Sequence, residues 1–129
     1  MRRSLSATSR WLGGAALLLA LTAAIRPAAL SQAAPGLWEI SRSDGGRRNI
    51  CVADPVVLAQ YEHLRGKCSR DLIRDQGRRA EFSYSCGGGG FGQSTIEEIT
   101  PRSLRVETQG ISNGAPFHYV LQARRIGNC

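Results

Sequence analysis

The stretch Gly87–Thr95, GGGGFGQST, lies one letter away from the phosphate-binding pattern G-x-x-x-x-G-K-[ST]. In such a loop, backbone N–H groups at a helix start hold the phosphates and a lysine neutralises them. Here Gln93 stands where the lysine is needed, and Ser94-Thr95-Ile96 is β-branched sequence that reads as a strand. Without a β-α-β unit around it, the stretch predicts a glycine connection between two strands. No nucleotide or other cofactor is implied.

Other reactive constellations fare no better. An acid–base pair must flank one bond, but Glu97 and Glu98 are adjacent and point to opposite faces of a strand. Asp71 and Asp75 share strand parity, yet they stand among Arg70 and Arg74, which predicts solvated ion pairs on a wet face. The two histidines, His63 and His118, have no G-x-S-x-G serine to serve. The four cysteines show no C-x-x-C spacing, and none has a histidine within four residues, so zinc-ligand spacing is absent. The expectation is a protein with no catalytic, cofactor-binding or metal-binding residues, and not an enzyme.

Composition points to a compartment. Arg2, Arg3 and Arg10 precede an uncharged apolar run, Trp11–Ile25, followed by the Ala/Ser-rich RPAALSQAAPG. Fifteen apolar residues are short for a membrane span, which takes about 20; the layout is that of a secretory signal peptide. Small residues place the cut after Ser31 or after Ala33, making residues 1–33 the leader and 34–129 a single domain, with no transmembrane segment left. Removing 1–33 lowers the net charge from +7 to +3. With no RNP-type aromatic motif, that small excess argues against nucleic acid despite Arg47-Arg48, Arg78-Arg79 and Arg124-Arg125. Cys51, Cys68, Cys86 and Cys129 all fall after the leader, and an even count in a short exported chain predicts two disulfides. The location implied is periplasmic or secreted.

The elements that would carry these residues are mostly strands. Leu37–Ser41 alternates, Ser43-Asp44-Gly45-Gly46 supplies a hairpin turn, and Arg48–Val52 returns. Asp54 and Pro55 open the one helix, with Val57, Tyr61 and Leu64 on one face and Gly66 as its stop. Ser69–Asp75 is a weak strand. Ala80, Phe82, Tyr84 and Cys86 alternate with polar residues in the cleanest one. Gln93–Thr100, the Leu104/Val106/Thr108 segment and the Phe117–Ala123 segment complete the set, with Gly110–Pro116 as a loop before the last. Strands at this spacing predict an antiparallel meander of six or seven strands, curled into a half-barrel or open barrel, with one short helix.

The motif APGLWEI near residue 34, Cys51 followed by Asp-Pro and a short helix, the 17-residue spacing from Cys68 to Cys86, and the closing RRIGNC together resemble the domain-of-unknown-function 3617 family of small exported bacterial proteins. The resemblance covers residues 34–129 and implies an exported, mostly β domain with cysteines at these positions and no assigned activity. It leaves the pairing open. Four cysteines allow three connectivities. Cys51–Cys68 with Cys86–Cys129 is favoured, as a staple across the ends of the helix; Cys68–Cys86 with Cys51–Cys129 is the alternative.

Trp38, Phe82, Tyr84, Phe117, Tyr119 and Leu121 are either the core or the lining of an apolar pocket, and a domain this small needs its large side chains in the core. Phe91 is expected to join them. The expected function is a non-enzymatic binding or structural domain of the cell envelope, its partner an envelope protein. A small carrier of a lipid-like ligand and an inhibitor of a periplasmic enzyme are the alternatives.

Overall fold

The computed structural model describes residues 26–129. Seven strands form one open sheet, antiparallel at every pairing: β1 (Gly36–Arg42), β2 (Arg47–Val52), β3 (Cys68–Gln76), β4 (Arg79–Cys86), β5 (Phe91–Thr100), β6 (Ser103–Ser112) and β7 (Ala115–Gly127). Their order is β2-β1-β7-β6-β5-β4-β3. Strands β3 to β7 are the expected meander, and the β1–β2 hairpin adds to it through β1 on β7. The alternation that predicted the strands also sets their faces. Ala80, Phe82, Ile96, Leu104, Val106, Tyr119, Leu121, Ala123, Trp38 and Ile40 turn inward and are buried. Both edges are blunted by charge, with Arg47 and Arg48 on β2 and Arg70, Asp71, Arg74 and Asp75 on β3.

Two helical segments cover the inward face. Pro55–His63 runs across β4, β5 and β6, and the single turn Ala28–Leu30 lies against β3, β4 and β5. The expected α-helix at Pro55–His63 is instead a 3₁₀ helix, broken at Gln60 (φ −116°, ψ 35°). Its start is as expected: Asp54 caps the N–H of Val56 at 3.1 Å, and Pro55 occupies the first turn. What replaces the α ladder is tertiary. Ser94 Oγ lies 2.6 Å from the Ala59 carbonyl and 2.8 Å from Thr108 Oγ1, so it donates to the carbonyl and accepts from Thr108. Beyond the break, the Gln60 amide donates to the carbonyls of His63 and Gly66.

Three further expectations are corrected. The Gly110–Pro116 loop shrinks to a two-residue turn at Asn113-Gly114, both left-handed (φ 51° and 77°), because Ile111 pairs with Pro116 and Ser112 with Ala115. Asp71 and Asp75 do not share a face, since the register of β3 shifts between Leu72 and Arg74, putting Asp71 opposite Ser83 but Asp75 opposite the buried Ala80. The disulfides are Cys68–Cys86 and Cys51–Cys129, not the favoured pairing. A Cys51–Cys68 staple fails because the chain between them does not fold back. It crosses the sheet from the β2 edge to the β3 edge. Cys68 and Cys86 are register partners on β3 and β4. Leu37 of β1 is flanked by Cys51 on one side and Gly127 on the other, which brings Cys129 to Cys51 with Cα atoms 5.7 Å apart.

Of the expected leader, residues 1–25 lie outside the described residues. Residues 26–33 are packed onto the sheet: Ala29, Leu30 and Ala33 belong to the buried core.

Candidate functional site

The inward aromatic set is packed. Trp38, Phe82, Tyr84, Tyr119 and Leu121 are buried and Phe117 is half-buried against the same cluster. Their polar atoms find partners, as buried Trp and Tyr require. Trp38 donates to the Ala34 carbonyl at 3.1 Å, Tyr119 donates to Glu62 at 2.8 Å, and Tyr84 shares a hydrogen bond with His63 Nδ1 at 3.0 Å. The Arg42 guanidinium lies 3.9 Å over the Tyr119 ring and is forked by Asp44 at 2.8 and 2.6 Å. That fork raises the Arg42 pKa and holds the Asp44 carboxyl below its ordinary range.

Burial pushes the Tyr84 hydroxyl up to about 12, and burial together with the Glu62 carboxylate raises that of Tyr119 further. A phenol whose folded pKa is raised supports the fold fully below its unfolded pKa of about 10 and loses that support as pH rises through the folded value. The window for Tyr84 is therefore roughly pH 10 to 12. In an alkaline titration followed by tyrosinate absorbance, Tyr84→Phe should remove a transition centred near pH 12. A Tyr84 signal complete by pH 10 would show the hydroxyl to be wet.

The tetraglycine has structural work at separate positions. Gly88 and Gly89 take φ of 94° and 95°, a region that side chains avoid. Gly90 lies flat on the His63 imidazole, where a Cβ would sit 2.5 Å from Cδ2 and 3.1 Å from Cε1. The ring cannot easily yield, because it is edge-on to both Tyr84 and Phe117. Gly90→Ala should therefore destabilise by about 1–3 kcal/mol, read as a lower midpoint in urea. An unchanged midpoint with an unshifted His63 ring signal would contradict this contact.

The outward face differs between its two ends. At one end charges cancel: Arg79–Glu97 at 3.0 Å, Arg74–Glu81 at 3.1 Å and Arg124–Glu39 at 3.4 Å pair across strands, and Arg105–Glu107 at 3.4 Å pairs along β6. His118 also bonds Glu107 at 3.3 Å, and this bond more than the arginine holds the Glu107 carboxyl below its ordinary range. At the other end two register rows cross the strands. Ser83, Gln93, Gln109 and His118 form a polar row; Phe91, Ile111 and Pro116 form an apolar one. They border an open groove of about 630 Å³. The side chains of Gln93 and Gln109 make no hydrogen bond to the described residues, and Phe91 is 51% exposed. The expectation that Phe91 joins the core is thus corrected. Gly92, Ser94 and Ile96 face inward, so Phe91 must face out. Parity along β5 was the available signal for this site.

Gly92 and Gly110, register partners beneath the groove, let β5 and β6 approach closely. A Cβ on Gly110 would sit 2.6 Å from the Gly92 Cα and against the Phe91 carbonyl.

Compared with known families, residues 33–129 match the family model described as protein of unknown function (DUF3617). The chain belongs to this family. No curated protein matches the chain, and no solved structure does either.

The N- and C-terminal motifs and Cys51, which helped carry the resemblance to DUF3617, meet at one corner of this domain, while Cys68 and Cys86 pair at the opposite edge of the sheet. Arg125 of RRIGNC donates to the Pro35 carbonyl at 2.9 Å and to Asn128 at 2.7 Å. Gly36 of APGLWEI has φ 152°, and a Cβ there would run into the Gly127 carbonyl and the Arg125 guanidinium. The Cys51–Cys129 bond closes the same corner. In this DUF3617 domain the N- and C-terminal motifs therefore tie the start of β1 to the end of β7, and the groove residues of β5, β6 and β7 lie apart from them. Among the described residues no group of three His, Cys, Asp or Glu side chains is placed to hold a metal ion, and no helix is long and apolar enough to cross a membrane.

Proposed function

We propose that this chain is an exported, non-enzymatic binding domain that docks a partner protein of the cell envelope through the groove at Phe91, Ile111 and Pro116. The observation that carries this reading is the contrast across the outward face. The charged end satisfies itself in ion pairs, while the other end exposes an apolar row beside amides that no described residue pairs. An apolar centre with a polar rim is the anatomy of a protein interface. Two disulfides fit an oxidising compartment and hold such a face on a rigid sheet. The packed inward face weighs against a lipid-like ligand carried there.

Amide exchange of the purified domain, with and without a solubilised envelope fraction, tests the reading. Protection is expected at Phe91–Gln93, Gln109–Ile111 and Pro116–His118, and not at the β2 edge. Unchanged exchange in those three segments would contradict it.

A further inference from the structure

We infer that the leader is cut on the N-terminal side of Arg26, so that residues 26–33 remain as part of the mature core. This rests on the export reading above. Leu30 and Ala29 have no exposed surface, and Pro27 and Ala33 are also buried. The segment is held by groups on both sides. Arg26 donates to the carbonyls of Leu30 at 2.8 Å and Ala33 at 3.0 Å, and its guanidinium lies 3.5 Å from Asp54, which caps the long 3₁₀ helix. Asp75, turned inward by the register shift in β3, accepts from the Ala28 N–H at 3.2 Å.

A cut after Ser31 or Ala33 would discard Arg26, Pro27, Ala29 and Leu30 together. It would uncover the inward face of β3, β4 and β5 and strip Asp75 of its partner. The chain offers a cut that avoids this loss. Thr22-Ala23-Ala24 places small residues at −3 and −1, after an apolar run Trp11–Leu21 that is long enough for a signal core. The family match begins at residue 33, so residues 26–32 lie upstream of it.

The test is the intact mass and N-terminal sequence of the protein recovered from the envelope of cells expressing the full chain. The result expected is a start at or before Arg26 and after Leu21. A start at Gln32 or Ala34 would overturn the inference while leaving export intact; an uncut chain from Met1 would sink both. A second reading comes from Leu30→Ala in the full chain. Its exported product should melt about 10 °C or more below the wild type, with the milder Leu30→Val in between. Equal melting of all three would also overturn the inference, because Leu30 would then contribute nothing to the mature fold.

Discussion

Serine at both Cys51 and Cys129 is expected to lower the unfolding free energy by about 4.5 kcal/mol. The two residues are 78 apart in sequence, so the bond restricts most of the unfolded domain. In the chain-entropy account the shorter Cys68–Cys86 loop, 18 residues, contributes only about 3 kcal/mol. Total stability of such a domain is about 5–15 kcal/mol, so the first loss approaches unfolding and the second does not. Location sharpens the difference. Cys68 and Cys86 are already register partners in a continuous ladder. Cys129, two residues past the end of β7, reaches Cys51 on an edge strand and locks Arg125 onto the Pro35 carbonyl. Denaturant unfolding of the two double variants should rank Cys51/Cys129 as the larger loss. The reverse order, or a 51–68 linked peptide in a non-reducing digest, would refute the connectivity on which this rests.

Gly110→Ala is expected to cost about 3 kcal/mol, the upper end for overpacking, and to weaken partner binding. The added methyl meets backbone, not a side chain: the Gly92 Cα at 2.6 Å and the Phe91 carbonyl carbon at 2.9 Å. No rotamer relieves it, so β5 and β6 must separate at the floor of the groove. Gly114→Ala is the comparison. Its added Cβ meets nothing within 4 Å, so its cost is confined to φ +77° in the turn. Urea midpoints should place Gly110→Ala well below Gly114→Ala. Equal midpoints would mean that the two strands do not approach so closely.

How much of this was legible in the sequence depends on the range of the interaction. Alternation fixed the faces of Ala80–Cys86 and Phe117–Ala123, because one buried and one wet face leave a period of two. The caps Asp54 and Pro55 were readable too, but they serve 3₁₀ and α turns alike. The helix breaks at Gln60, beside Ala59, whose carbonyl is taken by Ser94 of β5, a partner 35 residues away. The same limit hid the disulfides. Cys51 and Cys68 look close along the chain, yet the chain between them spans the sheet. Asp71 and Asp75 were misassigned by one inserted residue in β3, which parity cannot detect. In the tetraglycine, φ demand at Gly88 and Gly89 was inferable from composition, whereas the need at Gly90 comes from His63, 27 residues earlier. The groove was not read from the sequence: Phe91 was expected in the core although parity on β5 sends it outward, and its neighbours Ile111 and Pro116 join it only through the register of β6 and β7.

The docking claim is met most directly by site-specific photo-crosslinking in living cells. A photoreactive residue at position 91 or 111 is compared with one at Asn49, exposed on the β2 edge. Adducts to the same partner protein are expected from 91 and 111, absent from 49, and lost from 91 when Ile111→Ser is added without a change in melting. Equal adducts from 49 and 91, or none from 91 and 111, would contradict the assignment of the groove as the binding face.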